Sequence, residues 1–329
     1  MLDKLFNLIV KTTSLQPEYT KEHCIAYKQS RSACKVCQEV CPHEAISFVR
    51  GKEVRIDDID CTGCGLCVQA CPSQALEPKV SYQPGAPLKC SRVKGGAQTV
   101  HCLARLSPSS LLRLAGTKDK VTLVRGDCAQ CPVGTSVVAE LVEHTGEEAR
   151  ALAALRERDL HLEVLTEERY DATDNPDPIS RRDLLRGGWC GVQNSAAEAL
   201  APLDPGDDSG TLPREMQRQY RLIAGAKPEP ETEVPWILPR VAEGCILCPV
   251  CTNVCPTKAF SRDFEAPERE GTVLLLEPER CNGCEACVTS CPVKVISLDD
   301  VVTWAELSGG KEEAFYKDPG QAAGGTIAR

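Results

Sequence analysis

The chain has 329 residues, enough for two or three domains, and its formal net charge of −9 argues against nucleic acid as a partner. Hydrophobic residues make up 42% of it, but aromatics only 4% and Met only two, so something besides a large core must hold the fold together. No stretch reaches the roughly eighteen apolar residues of a transmembrane segment. The 21 cysteines mean a disulfide framework or bound metal, and their odd number fits disulfides poorly. The N-terminus lacks a cleavage-site pattern, so the expected compartment is the reducing cytoplasm, where clustered thiols read as metal ligands.

In chain order, Leu2, Leu5, Phe6 and Ile9 share one face of a short helix that leads in through Pro17. Next come Cys34-x2-Cys37-x3-Cys41-Pro42 and Cys61-x2-Cys64-x2-Cys67-x3-Cys71-Pro72. The first run lacks its leading cysteine, because Arg31 stands in that place, and Cys24 is the nearest upstream thiol. His23 beside it reads as a surface residue rather than a substitute ligand. Near the C-terminus the pattern returns, as Cys245, Cys248, Cys251 and Cys255-Pro256, then Cys281, Cys284, Cys287 and Cys291-Pro292. After each Cys-Pro pair the chain turns into an apolar run, such as Ala45-Ile46-Ser47-Phe48 or Val295-Ile296-Ser297-Leu298, and Val54-Arg55-Ile56 reads as a short strand.

These runs resemble the two-cluster bacterial ferredoxin family, over roughly residues 20–78 and 240–300. The resemblance implies four [4Fe-4S] clusters with crossed ligation, in which the fourth cysteine of each run reaches the cluster of the other. Cys24, Cys34, Cys37 and Cys71 would hold one, and Cys61, Cys64, Cys67 and Cys41 the second. Cys245, Cys248, Cys251 and Cys291 would hold the third, and Cys281, Cys284, Cys287 and Cys255 the fourth. Four-cysteine zinc sites need neither a third cysteine two residues on nor a terminal Cys-Pro, so zinc fits these runs poorly. Each cubane adds about two negative charges, making the loaded protein markedly acidic.

Residues 86–168 alternate differently. Strands are expected to end at or near Cys90, Cys102 and Cys128, with helices opened by Ser107-Pro108 and running from Thr135 to Arg158, and a closing strand over Leu160–Leu165. Such alternation predicts a small doubly wound domain with ligands at the carboxyl ends of its strands, where Cys90, Cys102, Cys128 and Cys131-Pro132 fall. Cys90-Ser91, Cys102-Leu103-Ala104-Arg105, Gly126-Asp127-Cys128 and Cys131-Pro132 resemble the delta-subunit family of methyl-viologen-reducing hydrogenases. That resemblance implies a fifth iron–sulfur centre and electron transfer toward heterodisulfide reductase. Here the last two thiols form C-x2-C, a departure that leaves [2Fe-2S], [4Fe-4S] and zinc open, in that they all accept four thiolates. His101 reads as a strand residue rather than a ligand.

Residues 169–240 have linker composition, rich in Asp, Pro and Gly, with helices expected at Ser180-Arg181-Arg182 and over Leu212–Ile223. The Ser-Arg-Arg element is similar to one in accessory ferredoxins of periplasmic nitrate reductase, which implies either a strap between modules or a partner-docking helix. Cys190 reads as a small packing residue. Beyond Trp304 the polar, glycine-rich tail is expected to lack structure of its own.

The expected architecture is thus two α+β ferredoxin-like modules, 1–80 and 241–302, flanking a small α/β parallel-sheet domain, 81–168, with a linker at 169–240 and a tail at 303–329. The chain has no dinucleotide fingerprint, P-loop or Ser-His-Asp set. The reading that follows is an electron-transfer subunit without catalysis of its own. It would relay single electrons between a catalytic oxidoreductase of anaerobic metabolism, such as a formate dehydrogenase, a hydrogenase or a heterodisulfide-reductase-like enzyme, and ferredoxin or another carrier. Two alternatives stand beside it: an assembly ferredoxin for a molybdenum or tungsten enzyme, and a reductase with a catalytic central cluster.

Overall fold

The computed structural model describes residues 15–29, 34–51, 53–171, 212–263 and 271–317. The expected helices over 2–9 and around 180–186, together with Cys190, lie outside the described residues. In the N-terminal region β1 (Glu18–Tyr19) is followed by α1 (Ile25–Lys28), α2 (Val36–Glu39), β2 (Ile46–Val49), β3 (Glu53–Ile56), α3 (Leu66–Ala70) and β4 (Leu76–Glu77). β1 pairs antiparallel with β4, and β2 with β3, so the first and last strands enclose a central hairpin. Ile46 and Val54 point inward and Ser47 and Arg55 outward, the period-2 alternation of a half-buried hairpin. Cys24, Cys37 and Cys67 pack with Ile46, Val54 and Leu76 in a core otherwise short of large side chains.

The middle region comprises β5 (Leu88–Cys90), β6 (Gln98–Val100), α4 (Pro108–Ala115), β7 (Lys120–Arg125), α5 (Val137–Ala154) and β8 (His161–Thr166). Its four strands form one parallel sheet in the order β6-β5-β7-β8. A parallel sheet is covered on both faces, which is why Leu88, Leu123 and Val124 are all fully enclosed. Ser107 caps α4 by accepting from the Ser110 amide, with Pro108 at the first helical position.

Next, α6 (Arg214–Ala226) ties the regions together. Its first free amides are taken by the N-terminal region: Arg214 N–H donates to Glu77 Oε1 at 3.0 Å and Met216 N–H to Gln74 Oε1 at 3.2 Å. The Glu215 carboxylate accepts from the Ser107 and Ser109 hydroxyls and the Ser109 amide at the start of α4. Tyr220 lies edge-on to Trp236 and against Trp304, with ring centroids 6.2 Å apart in both pairs. The helix expected over Leu212–Ile223 within the linker is therefore present as Arg214–Ala226, seated on the two preceding regions and on two tryptophans of the third.

The C-terminal region contains β9 (Glu233–Val234), β10 (Leu238–Val241), α7 (Val250–Val254), β11 (Phe260–Asp263), β12 (Thr272–Leu276), α8 (Ala286–Ser290), β13 (Ile296–Asp299), β14 (Val302–Thr303), α9 (Trp304–Ser308) and β15 (Glu312–Lys317). β10 pairs antiparallel with β13 and β11 with β12, repeating the N-terminal plan. The tail departs from its expected lack of structure. Thr303 and Glu306 form a capping box at α9, and β15 adds antiparallel to β12 as the third strand of that sheet. The alternating Glu312 to Lys317 stretch finds its ladder partner within the chain itself.

One backbone feature repeats four times. Glu44, Gln74, Lys258 and Lys294, each the second residue after the proline of a Cys-Pro pair, all have φ between 52° and 56°. That left-handed residue turns the chain from the cysteine-bearing helix into the following strand.

Candidate functional site: five sets of thiols

The fourth cysteine of each run is carried away from its own helix. Cys37 lies on α2, yet its charged neighbours are Cys71, Cys24 and Cys34, which together with burial push its thiol up to about 12. Cys34 is raised first by burial, then by Cys71 and Cys24. Cys67, on α3, is likewise raised by burial and then by Cys64, Cys61, Cys37 and Cys41. The structure thus gathers Cys24, Cys34, Cys37 and Cys71 on one side, and Cys41, Cys61, Cys64 and Cys67 on the other, with Cys37 and Cys67 where the two sets meet.

Cys24 follows a 3-10 turn over Lys21–His23 and is buried beside Tyr19, whose hydroxyl is raised by burial and by that thiol. His23 departs from its surface reading. It is only 5% exposed, because the turn directs it inward.

The C-terminal region has the same arrangement. Burial lifts Cys281 and Cys284 to about 12, with Cys255 the next cause for both, and Cys287 is raised by burial, Cys281, Cys284 and Cys255. Cys251 is lifted to about 11 by burial, with Cys245 and Cys248 as its charged neighbours, and shares its core with Cys291.

The chemistry of these donor sets fits an iron–sulfur cluster. Sulfur atoms accept backbone amides: Ala75 N–H donates to Cys71 Sγ at 3.3 Å, Ala259 N–H to Cys255 Sγ at 3.2 Å and Leu247 N–H to Cys245 Sγ at 3.4 Å. Such donors favour the thiolate, whereas burial and mutual repulsion oppose it, so four adjacent thiolates require a bound cationic centre. Among the described residues no three His, Cys, Asp or Glu side chains group as a single ion would need. Zn–S bonds of about 2.3 Å would bring thiolates within about 4 Å of one another.

The fifth set lies at the carboxyl edge of the parallel sheet. Cys90 ends β5, Cys102 follows β6 and opens a 3-10 turn over Leu103–Arg105, and Cys128 and Cys131 belong to the loop after β7. All four line one cavity together with Arg92, His101 and Arg125. Burial lifts Cys102 to about 12, with Cys64, Cys90 and Cys131 as neighbouring thiolates. Burial also raises Cys128, and Arg125 opposes it by bonding the sulfur. His101 lies just past β6 rather than in it; among the described residues its buried Nε2 has no hydrogen-bond partner, and burial lowers its basicity.

This central set abuts the N-terminal region. A Cβ on Gly134 would stand 3.8 Å from Cys102 Sγ and 3.9 Å from Cys64 Cβ, so that glycine fills the gap between the two sets. Thr62 Oγ–H donates to the Val133 carbonyl at 2.9 Å, and His43 Nε2 lies 3.0 Å from the same oxygen. The C-terminal region meets the N-terminal one on the opposite set. Asn282, inside the Cys281–Cys284 turn, donates to the carbonyl of Ser73, two residues past Cys71, and Gln29 Nε2 donates to Ser290 Oγ at 2.7 Å, next to Cys291. Arg105, Gly134, Ser73 and Asn282 were not identified as site residues from sequence. Only Arg105 carried a signal there, as the last residue of Cys-Leu-Ala-Arg.

Comparison with known proteins bears on the two outer regions. The 4Fe-4S dicluster domain family matches residues 30–75 and again 244–295. Dihydromethanopterin reductase (acceptor) of Methanosarcina mazei is 43% identical over 56 residues, 16% of this chain and 23% of that protein. The (2S)-3-sulfopropanediol dehydratase activating enzyme of Klebsiella oxytoca is 47% identical over 58 residues, 17% of each chain. A protein named as electron transport protein YsaA, from Escherichia coli, is 33% identical over 72 residues, 21% of this chain and 45% of its own. The chain thus spans less than half the length of each of these relatives. No solved structure matches. No helix among the described residues is long and apolar enough to cross a membrane. Two 4Fe-4S ferredoxin-type regions therefore flank a central region built on a four-stranded parallel sheet.

Proposed function

We propose that the chain is an iron–sulfur electron-transfer subunit that relays single electrons between a catalytic oxidoreductase and a soluble carrier or second enzyme. Four [4Fe-4S] clusters would be held by Cys24, Cys34, Cys37 and Cys71; by Cys41, Cys61, Cys64 and Cys67; by Cys245, Cys248, Cys251 and Cys291; and by Cys255, Cys281, Cys284 and Cys287. A fifth iron–sulfur centre would be held by Cys90, Cys102, Cys128 and Cys131. A cluster saturated by cysteine supplies one-electron exchange with little rearrangement.

The observation that carries this reading is continuity. Cys102 of the central set has Cys64 as a charged neighbour, Cys67 has Cys37 of the companion set, and Asn282 of the C-terminal region bonds the Ser73 carbonyl two residues past Cys71. Such a row suits a relay, with the central set and the C-terminal region as its ends. The partner at the central end is proposed to be the catalytic enzyme, of the formate dehydrogenase, hydrogenase or heterodisulfide-reductase-like kind.

The test is anaerobic purification with iron and sulfide counting, then low-temperature EPR of the dithionite-reduced protein, on wild type and Cys102→Ser. About eighteen to twenty irons, falling by about two or four in the variant, is the expected result. About sixteen irons in both would remove the fifth centre, and a loaded protein that dithionite cannot reduce would sink the relay. A second reading makes the central set a site of substrate reduction. His101, Arg92 and Arg125 beside the four thiols favour it, and turnover by the isolated loaded chain would select it.

A further inference from the structure

Arg105 is 3% exposed. It leaves the turn that follows Cys102 and crosses into the N-terminal region, where Nη1 donates to the carbonyls of Leu15 and Gly63 and Nη2 to that of Lys79, all at 2.9 Å. Among the described residues no carboxylate pairs with it. The charged groups around it are Cys102, Cys61, Cys64 and Cys67, whose thiolates favour the guanidinium while burial opposes it. With Cys41, Cys61, Cys64 and Cys67 it lines a single cavity.

The cysteine run is shaped around this side chain. A Cβ on Gly63 would lie 2.9 Å from Arg105 Nη1, and one on Gly65 2.7 Å from its Cγ, and both glycines have positive φ. Neutral donors could satisfy three carbonyls. A buried cation without an anion is strongly disfavoured, so the position makes physical sense only with negative charge beside it.

We infer that Arg105 is a positioning residue that tunes the redox site at Cys41, Cys61, Cys64 and Cys67, its fixed positive charge stabilising the reduced state beside the central thiols. The inference rests on the proposed electron-transfer reading. When one electron arrives, no bond forms or breaks, the site becomes more negative by one charge, and the guanidinium keeps its proton. In a poorly solvated setting that added charge is attracted to Arg105. The set next to the central site therefore holds the electron more readily than it would without the guanidinium.

The test is an EPR-monitored redox titration of the anaerobically loaded full chain as wild type, Arg105→Met, Arg105→Gln and Arg105→Lys. Cys61→Ser identifies the relevant signal by its loss. In the two neutral variants that signal's midpoint is expected to move negative, its reduced-to-oxidised ratio falling about tenfold or more at the wild-type midpoint, while Arg105→Lys restores most of it. An unmoved midpoint in a loaded neutral variant overturns the inference, as does an equal shift in Arg105→Lys. If the neutral variants lose iron at this site and Arg105→Lys keeps it, the charge serves to hold the cluster rather than to set its potential, and the inference is overturned. Equal loss in all three makes Arg105 a hydrogen-bonding clamp and overturns it. A wild-type chain that neither loads nor reduces would instead refute the relay itself.

Discussion

Asn282 donates its side-chain amide to the Ser73 carbonyl at 3.1 Å, joining two cysteine turns that lie 209 residues apart in sequence. Asn282 stands between Cys281 and Cys284, and Ser73 follows Cys71, so this bond is a polar bridge between an N-terminal and a C-terminal thiol set. Asn282→Ala removes it at a cost of about 1 kcal/mol. The expected outcome is unchanged iron content with slower electron equilibration between the two regions, read by freeze-quench EPR after reduction with a substoichiometric electron donor. Unchanged kinetics would mean that electrons pass elsewhere, with the Gln29–Ser290 contact the next place to look.

Cys24 and His23 are adjacent and both buried, so the missing first ligand of the N-terminal run can be assigned by substitution. Cys24→Ser should abolish one cubane signal and lower the iron content by up to about four. His23→Ala should keep its iron and lower the thermal midpoint, in line with a buried polar truncation of about 1–3 kcal/mol. Loss of iron from His23→Ala alone would move the ligand to the histidine.

The ferredoxin-type regions are legible in sequence because the spacing between cysteines is local and is repeated at each end of the chain. The central sheet is legible for a similar reason, since Lys120–Arg125 is a short apolar run bounded by turns, and Ser107-Pro108 marks the start of a helix. What sequence did not disclose depends on distant partners. His23 takes its inward direction from a turn, β15 takes its order from β12, and Arg105 takes its surroundings from a run some forty residues upstream, with Gly63 at a separation of 42. Glu215 is another instance: it falls in the helix expected over Leu212–Ile223, but the Ser109 amide from which it accepts lies 106 residues away.

Glu215→Ala tests that strap. The substitution leaves the Ser107 and Ser109 donors at the start of α4 without their acceptor, in a setting where an unmade hydrogen bond costs about 1–3 kcal/mol. A lower thermal midpoint and faster proteolysis between the middle and C-terminal regions are expected, with the iron count intact. Glu215→Gln, which keeps an acceptor oxygen, should lose less. If both variants match wild type, α6 is held by its bonds to Glu77 and Gln74, by buried Met216 and Ile223 and by the Tyr220 ring contacts.

The raised thiols give the iron-free and iron-loaded chains opposite pH dependences. In the iron-free fold Cys37 moves from an ordinary value of 9.0 to about 12, and Cys281 and Cys284 likewise reach about 12. Between those values the folded form holds protons that the unfolded form has released, so this contribution is present below about pH 9 and is lost as pH rises toward 12. In the loaded chain the same sulfurs bind metal and no proton. The unfolded form then binds more protons at every pH below about 9, and stability rises with pH over that range. Anaerobic thermal unfolding of both forms from about pH 7 to about pH 10 should therefore give midpoints that diverge, the loaded chain rising toward pH 9 and the iron-free chain falling beyond it. Parallel curves would mean that these thiols do not bind metal as thiolates, which would remove the basis for assigning clusters to them.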